Sequence, residues 1–213
     1  MNLFITGTDT DVGKTYFTAL LLRALRNRGV NAVGMKPISC DALSDVATIA
    51  AASDYTGSLT DLNPVSFDQP LAPLTAAVLA GTQVDLGPIF STFNRLKETY
   101  SSVIVEGAGG WLVPILPDYF IADLAIDLEI PVLIVVDNKL GALNHTLLTV
   151  DSLQRRGVPC AGIVLNNRIA NDSPAASTNR AILETLLPIP IRAELFPGQT
   201  ELDLSDFEDL FAL

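Results

Sequence analysis

Gly7-Thr8-Asp9-Thr10-Asp11-Val12-Gly13-Lys14-Thr15 follows a short apolar run at residues 3–6 and opens an amphipathic pattern that continues to about Arg28. Strand, glycine-bounded loop and helix therefore come in the order that a phosphate-binding loop requires. Backbone N–H groups at such a helix start hold phosphate oxygens, Lys14 reaches the outer phosphates, and the Thr15 hydroxyl suits Mg2+. Five residues separate Gly7 from Gly13, one more than the standard spacing, so the generic pattern is met only with a longer loop. The bland alternative is a glycine-rich strand-to-helix turn carrying a surface lysine; Gly13-Lys14-Thr15 in this context argues against it.

Outward from the loop, short β-rich runs at residues 31–35, 103–106, 132–136 and 160–165 alternate with longer helical patterns. Val132-Leu133-Ile134-Val135-Val136 is apolar on both faces, as a central parallel strand covered by helices must be. This predicts an α/β fold: a doubly wound, mostly parallel sheet of the P-loop NTPase kind, with ligands outside the carboxyl ends of the strands. A chain of 213 residues suits a single domain and can bury roughly 70% of its unfolded surface. Residues 54–88 loosen into Pro- and Gly-containing segments that keep their apolar residues, which reads as an excursion from the sheet. Residues 169–177 read as a polar loop, and the acidic stretch 201–209 ends in apolar residues able to dock on the body.

Two further elements bring chemistry to the same sheet edge. The run at 31–35 ends in Met35-Lys36-Pro37, and a strand parallel to the first would deliver Lys36 toward the γ-phosphate. Two lysines flanking a transferring phosphoryl group neutralise charge on the acceptor and on the equatorial oxygens. The competing reading is a lysine that snorkels from a strand end. Val103-Ile104-Val105-Glu106-Gly107-Ala108-Gly109-Gly110 places a carboxylate at the end of a buried strand, before glycines that permit close backbone approach. Mg2+ favours a hydroxyl, one or two carboxylates and phosphate oxygens, so Thr15, Glu106 and an aspartate after Lys36 would suffice.

Composition narrows the partners. Thirteen basic against 24 acidic residues give a net charge of -11, which disfavours nucleic acid and anionic membranes. Cys40 and Cys160 are the only cysteines and lack metal-type spacing, which suits a reducing cytoplasm. No apolar run approaches membrane-spanning length, and the first residues lack targeting character.

Together these residues resemble the dethiobiotin synthetase family over most of the chain. The resemblance is carried by Gly7 to Thr15, Lys36-Pro37, Glu106 to Gly110 with Val113-Pro114, Leu140-Gly141-Ala142-Leu143-Asn144-His145, and Gly162-Ile163-Val164-Leu165-Asn166. The long phosphate loop is the form this family uses. The resemblance implies that 7,8-diaminopelargonate takes up CO2 as a carbamate, that ATP phosphorylates the carbamate, and that the second amine closes a ureido ring. It implies catalytic roles for Lys14 and Lys36, and Mg2+ held by Thr15, Asp45 and Glu106. The nucleotide would lie against Thr10, Asp11, Val12 and Gly13 and against Gly107, Ala108 and Gly109, with adenine read by Asn166. It further implies a homodimer in which the substrate carboxylate rests on a helix start of the neighbouring subunit, here Gly141, Ala142, Leu143 and Asn144. His145 beside that turn is assigned no catalytic role.

Two departures stand out. The family usually shows Ser or Thr followed by Gly after Lys-Pro, whereas this chain reads Ile38-Ser39-Cys40-Asp41, so Ser39 and Cys40 are the substrate-side candidates. Asp41 rivals Asp45 as metal ligand; Asp45 is preferred because Ser44-Asp45-Val46-Ala47 opens a helix. The alternatives are a related amidating or carboxylating synthetase acting on another substrate, and a partition-type ATPase switch. The second is weakened because Thr8-Asp9-Thr10 stands where such switches carry another lysine.

Overall fold

The computed structural model describes residues 1–40, 43–168 and 173–211. In chain order the elements are β1 (Leu3–Gly7), α1 (Lys14–Asn27), β2 (Ala32–Met35), β3 (Ile38–Cys40), α2 (Ser44–Ala52), β4 (Val65–Phe67), α3 (Pro73–Leu79), α4 (Gly87–Thr99) and β5 (Ser102–Gly110). They continue with β6 (Pro114–Leu116), β7 (Tyr119–Phe120), α5 (Ile121–Asp127), β8 (Val132–Asp137), α6 (Ala142–Arg155), β9 (Cys160–Asn166), α7 (Pro174–Leu186), β10 (Ile191–Leu195) and α8 (Glu208–Phe211).

Six strands form the main sheet in the order β10-β9-β8-β1-β5-β2, and every neighbouring pair is parallel. Because successive strands are added first on one side of β1 and then on the other, the loop after β1 sits where the winding reverses, the expected ligand position. Side-chain alternation explains the two layers. Phe4 of β1 and Val132, Ile134 and Val136 of β8 face a core shared with α4, α5 and α6. Leu3, Ile5, Leu133 and Val135 face the opposite core, built on Phe17, Leu20, Leu21 and Leu25 of α1.

The acidic stretch near the C-terminus docks as expected. Leu204 and Phe207 are buried in the α1 core, and the Phe17 and Phe207 rings stack with centroids 6.1 Å apart. The buried Arg192 of β10 grips this segment through both oxygens of Asp209, at 2.6 and 2.9 Å.

Some expectations needed correction. The strand at 191–195 has no counterpart among the apolar runs of the sequence, because Arg192 and Glu194 interrupt its pattern on a sheet edge. The strand after residue 102 runs on to Gly110 instead of ending at Glu106, since its glycines fit where side chains would collide. A Cβ on Gly107 would lie 3.0 Å from both Phe4 and Ile121. The polar loop ends earlier than residue 177: Pro174, with its fixed φ, starts α7. The excursion at 54–88 leaves the main sheet and keeps apolar residues buried, as expected: β4 pairs in parallel with β3 in a separate ladder, and Leu62 is wholly buried.

Candidate active site

Gly13 is the N-cap of α1 at φ 96°, a left-handed conformation that glycine adopts without penalty. A side chain there is also barred by space, because a Cβ would lie 2.0 Å from Nδ2 of Asn166. That nitrogen donates to the Val12 carbonyl at 2.9 Å. Asn166 therefore lies beneath the loop, only 3% exposed, and braces it. Asp11 takes φ 57°, a region that aspartate tolerates better than most residues.

Lys14 is buried and its Nζ donates to the Asp9 carbonyl at 3.2 Å. Burial and the neighbouring Lys36 charge bring its pKa down to about 8. Lys36 comes from the end of β2, 5% exposed. Its Nζ contacts Glu106 Oε1 at 2.6 Å and Asp45 Oδ2 at 3.0 Å. Burial alone would depress Lys36, but the two carboxylates outweigh it and hold the pKa above the ordinary lysine value. Asp45 shows the mirror effect: burial works to raise it, and Lys36 together with the Thr15 hydroxyl pulls it below the usual aspartate value.

Thr15 Oγ1 donates to Glu106 Oε1 at 2.7 Å, so one oxygen of that carboxylate serves both Thr15 and Lys36. The other, Oε2, is buried and has no hydrogen-bond partner among the described residues. A hydroxyl and two carboxylates, one of which has an unsatisfied buried oxygen, form a hard-oxygen donor set that fits Mg2+ once phosphate oxygens and water complete the shell. Among the described residues no three His, Cys, Asp or Glu side chains cluster as a metal cage. Such a partial set is what an ion shared with a nucleotide needs.

These groups surround a cavity of about 660 Å3. Thr10, Asp11, Gly13, Lys14 and Thr15 line one wall, and Lys36, Ser39, Cys40 and Asp45 line a second. Ala108 and Gly109 lie at the strand end between them. Val12, Glu106, Gly107 and Asn166 are buried and underpin this surface without lining it. Gly141, Ala142, Leu143 and Asn144 start α6 and lie outside the cavity of their own chain. Asp41 falls outside the described residues. Sequence reasoning missed the part of the wall formed by Pro70, Leu71, Ala72 and Pro73, and also Arg168 at its rim. The prolines marked the excursion, but nothing local said that it folds back over the site.

Comparison with known proteins bears on this geometry. The ATP-dependent dethiobiotin synthetase BioD of Akkermansia muciniphila is 42% identical over 203 residues, covering 95% of this chain and 95% of that protein. The chain belongs to the dethiobiotin synthetase family. A family model described as an AAA domain also matches residues 1–202. Among solved structures, a signal recognition particle receptor FtsY from Elizabethkingia anophelis aligns with a TM-score of 0.56 at 14% identity. It covers 99% of this chain, which spans 64%, less than two thirds, of the FtsY chain. A putative plasmid partition protein from Borrelia burgdorferi bound to AMPPNP aligns with a TM-score of 0.56 at 12% identity, over 96% of this chain and 91% of that one. At such identities the likeness is one of fold, and it places this chain among the P-loop NTPase-like α/β proteins. Among the described residues no helix is long and apolar enough to cross a membrane.

Proposed function

We propose that this chain is an ATP- and Mg2+-dependent cyclo-ligase that converts 7,8-diaminopelargonate and CO2 to dethiobiotin, the ureido-forming step of biotin biosynthesis. The observation that carries the reading is the convergence of Lys14 and Lys36 on one cavity, in a chain 42% identical to a dethiobiotin synthetase along nearly its whole length.

Phosphoryl transfer needs little covalent participation by the protein and much charge stabilisation and alignment. Lys14, at the helix start, meets the outer phosphates, where its charge counters the negative oxygens. Lys36 stands across the cavity on the acceptor side and stabilises the carbamate as it takes up the phosphoryl group. Thr15, Asp45 and Glu106 would hold Mg2+, which when bound screens the phosphate charge. Ser39 and Cys40 face the diamine end. Asn166, buried beneath the loop with an N–H on the Val12 carbonyl, serves the nucleotide by bracing the loop, in place of the adenine contact that the resemblance implies.

In this reading the active unit is a cytoplasmic homodimer. Leu140, 85% exposed just before α6, and Leu148, 61% exposed within that helix, support burial of this surface by a second subunit. The Gly141 to Asn144 turn then offers N–H groups to the carboxylate of a substrate held by the partner.

The test is mass-spectrometric detection of dethiobiotin from purified protein supplied with diaminopelargonate, bicarbonate and Mg-ATP, with ADP followed in parallel. Product formed in step with ADP is expected. ADP release without product would redirect the reading to another carboxylate or diamine. Absence of both signals from folded protein would overturn it.

A further inference from the structure

Lys36 stands where the chain leaves the main sheet. Met35 is the last residue of β2 paired with β5, opposite Val105, and the β3–β4 ladder begins only at Ile38, opposite Val65. The peptide of Lys36 lies between the two ladders, and Pro37 has no N–H with which to bridge them. Its groups are buried and need partners from elsewhere.

Two consecutive residues of the excursion supply those partners. The Lys36 N–H donates to the Leu62 carbonyl at 3.0 Å. Nδ2 of Asn63 donates to the Lys36 carbonyl at 2.7 Å and to the Val65 carbonyl at 3.1 Å. Oδ1 of Asn63 accepts from the Ser39 hydroxyl at 2.9 Å. An asparagine amide has two N–H donors and one carbonyl, so each polar group of this side chain, 4% exposed, is engaged. A residue that served only its own turn would bond locally, as Asn63 does to Val65. Its other two bonds reach back 24 and 27 residues to the cavity wall.

We propose that Asn63 is a positioning residue for the phosphoryl-transfer step, setting the backbone from which Lys36 reaches the reacting phosphate and orienting the Ser39 hydroxyl beside it. Lys36 Nζ sits between Glu106 and Asp45, so a small rotation of its peptide shifts the ammonium from one carboxylate toward the other. Electrostatic catalysis is sensitive to such shifts, since a displacement near 1 Å costs up to about 100-fold in rate. Asn63 acts through Lys36, away from the loop that holds ATP, so its loss should lower kcat and spare nucleotide affinity.

The inference rests on the placement of Lys36 at the transferring phosphate, and a mutant cycle separates the two. Asn63→Ala, Lys36→Ala and the double variant are assayed for dethiobiotin and ADP at saturating substrates, with rates expressed per MgADP-binding site measured by calorimetry. We expect Asn63→Ala to lower kcat about tenfold or more, with MgADP affinity within about threefold of wild type. In the Lys36→Ala background the same change should cost much less, because the ammonium it positions is gone and only the Ser39 hydroxyl is left to be misoriented. Wild-type kcat in Asn63→Ala, or an undiminished loss in the Lys36→Ala background, would overturn the positioning role alone. Wild-type turnover in Lys36→Ala would instead overturn the placement of Lys36. Asn63→Ser removes the same amide and is judged by the same criteria if the alanine variant does not fold. Failure of both to fold would make Asn63 a determinant of folding and end the proposal.

Discussion

Lys14 and Lys36 reach the same cavity from two kinds of local structure. Lys14 belongs to nine contiguous residues whose geometry is nearly self-contained: a strand end, a left-handed glycine and a helix start, braced by one distant side chain, Asn166. Lys36 belongs to a corner assembled from four separated segments, at residues 36–40, 45, 62–65 and 106. The two cations consequently differ in state. Lys14, with no carboxylate in contact among the described residues, is pushed down by burial and by the Lys36 charge, whereas Lys36 is held charged by Glu106 and Asp45. The loop wall is built to receive negative charge brought by a ligand; the corner already holds its own.

Breaking the loop wall should have the largest effect. Lys14→Ala removes the cation nearest the outer phosphates, and kcat/KM for ATP should fall about 1,000-fold, comparable to loss of a strong transition-state donor. Near-wild-type turnover would dissolve the distinction between the walls. Gly13→Ala should come next, with a loss of about 100-fold in nucleotide affinity. The substitution adds backbone strain at φ 96° and a clash with Asn166 in one step. An unchanged MgADP affinity by calorimetry would mean that the loop rearranges freely and is not braced.

The same contrast decides what could be read from sequence. The loop was legible because phosphate binding needs backbone donors at a helix start, and glycine spacing encodes backbone shape locally. Five of the six main-sheet strands were legible because burial on both faces leaves continuous apolar runs. The β10 strand was not, since an edge strand admits Arg192 and Glu194. Asn63 was hidden for a different reason: an Asn-Pro pair looks like any turn, and its partners, Lys36 and Ser39, are fixed only by tertiary pairing of β3 with β4. Arg168 and the Pro70 to Pro73 wall reach the cavity by folding back, which no local period records. The family resemblance named Lys36, Asp45 and Glu106 together, yet the single shared oxygen of Glu106 became visible only in the geometry.

The corner makes a smaller prediction. Asp45 touches Lys36 and is partly exposed, so Asp45→Asn should raise the Mg2+ concentration for half-maximal rate by about tenfold and leave the fold intact. An unchanged Mg2+ dependence with a lower kcat would make Asp45 a partner of Lys36 only and leave Glu106 and Thr15 as the donors to the ion.

The smallest effect tests how self-contained the loop wall is. Its helix, α1, carries the C-terminal segment through Phe17 and Phe207, and that segment is tied to the sheet by Arg192 and Asp209. Arg192 also donates to the carbonyls of Ala161 and Asp206, so Asp209→Asn leaves the guanidinium partly satisfied. With the carboxylate largely exposed, the expected loss is roughly 1 kcal/mol, or about 2–4 °C in Tm. The hydrogen bonds from Arg192 hold the Asp209 pKa below the ordinary aspartate value. A depressed carboxylate contributes its stability above the unfolded pKa and loses it as pH falls through the folded one. The Tm difference between wild type and Asp209→Asn should therefore be full at neutral pH and shrink as the pH drops below about 4. A difference independent of pH would assign the effect to packing of the tail, and the loop helix would then take its outer support from the apolar contacts of Leu204, Phe207 and Phe211 and not from the ion pair.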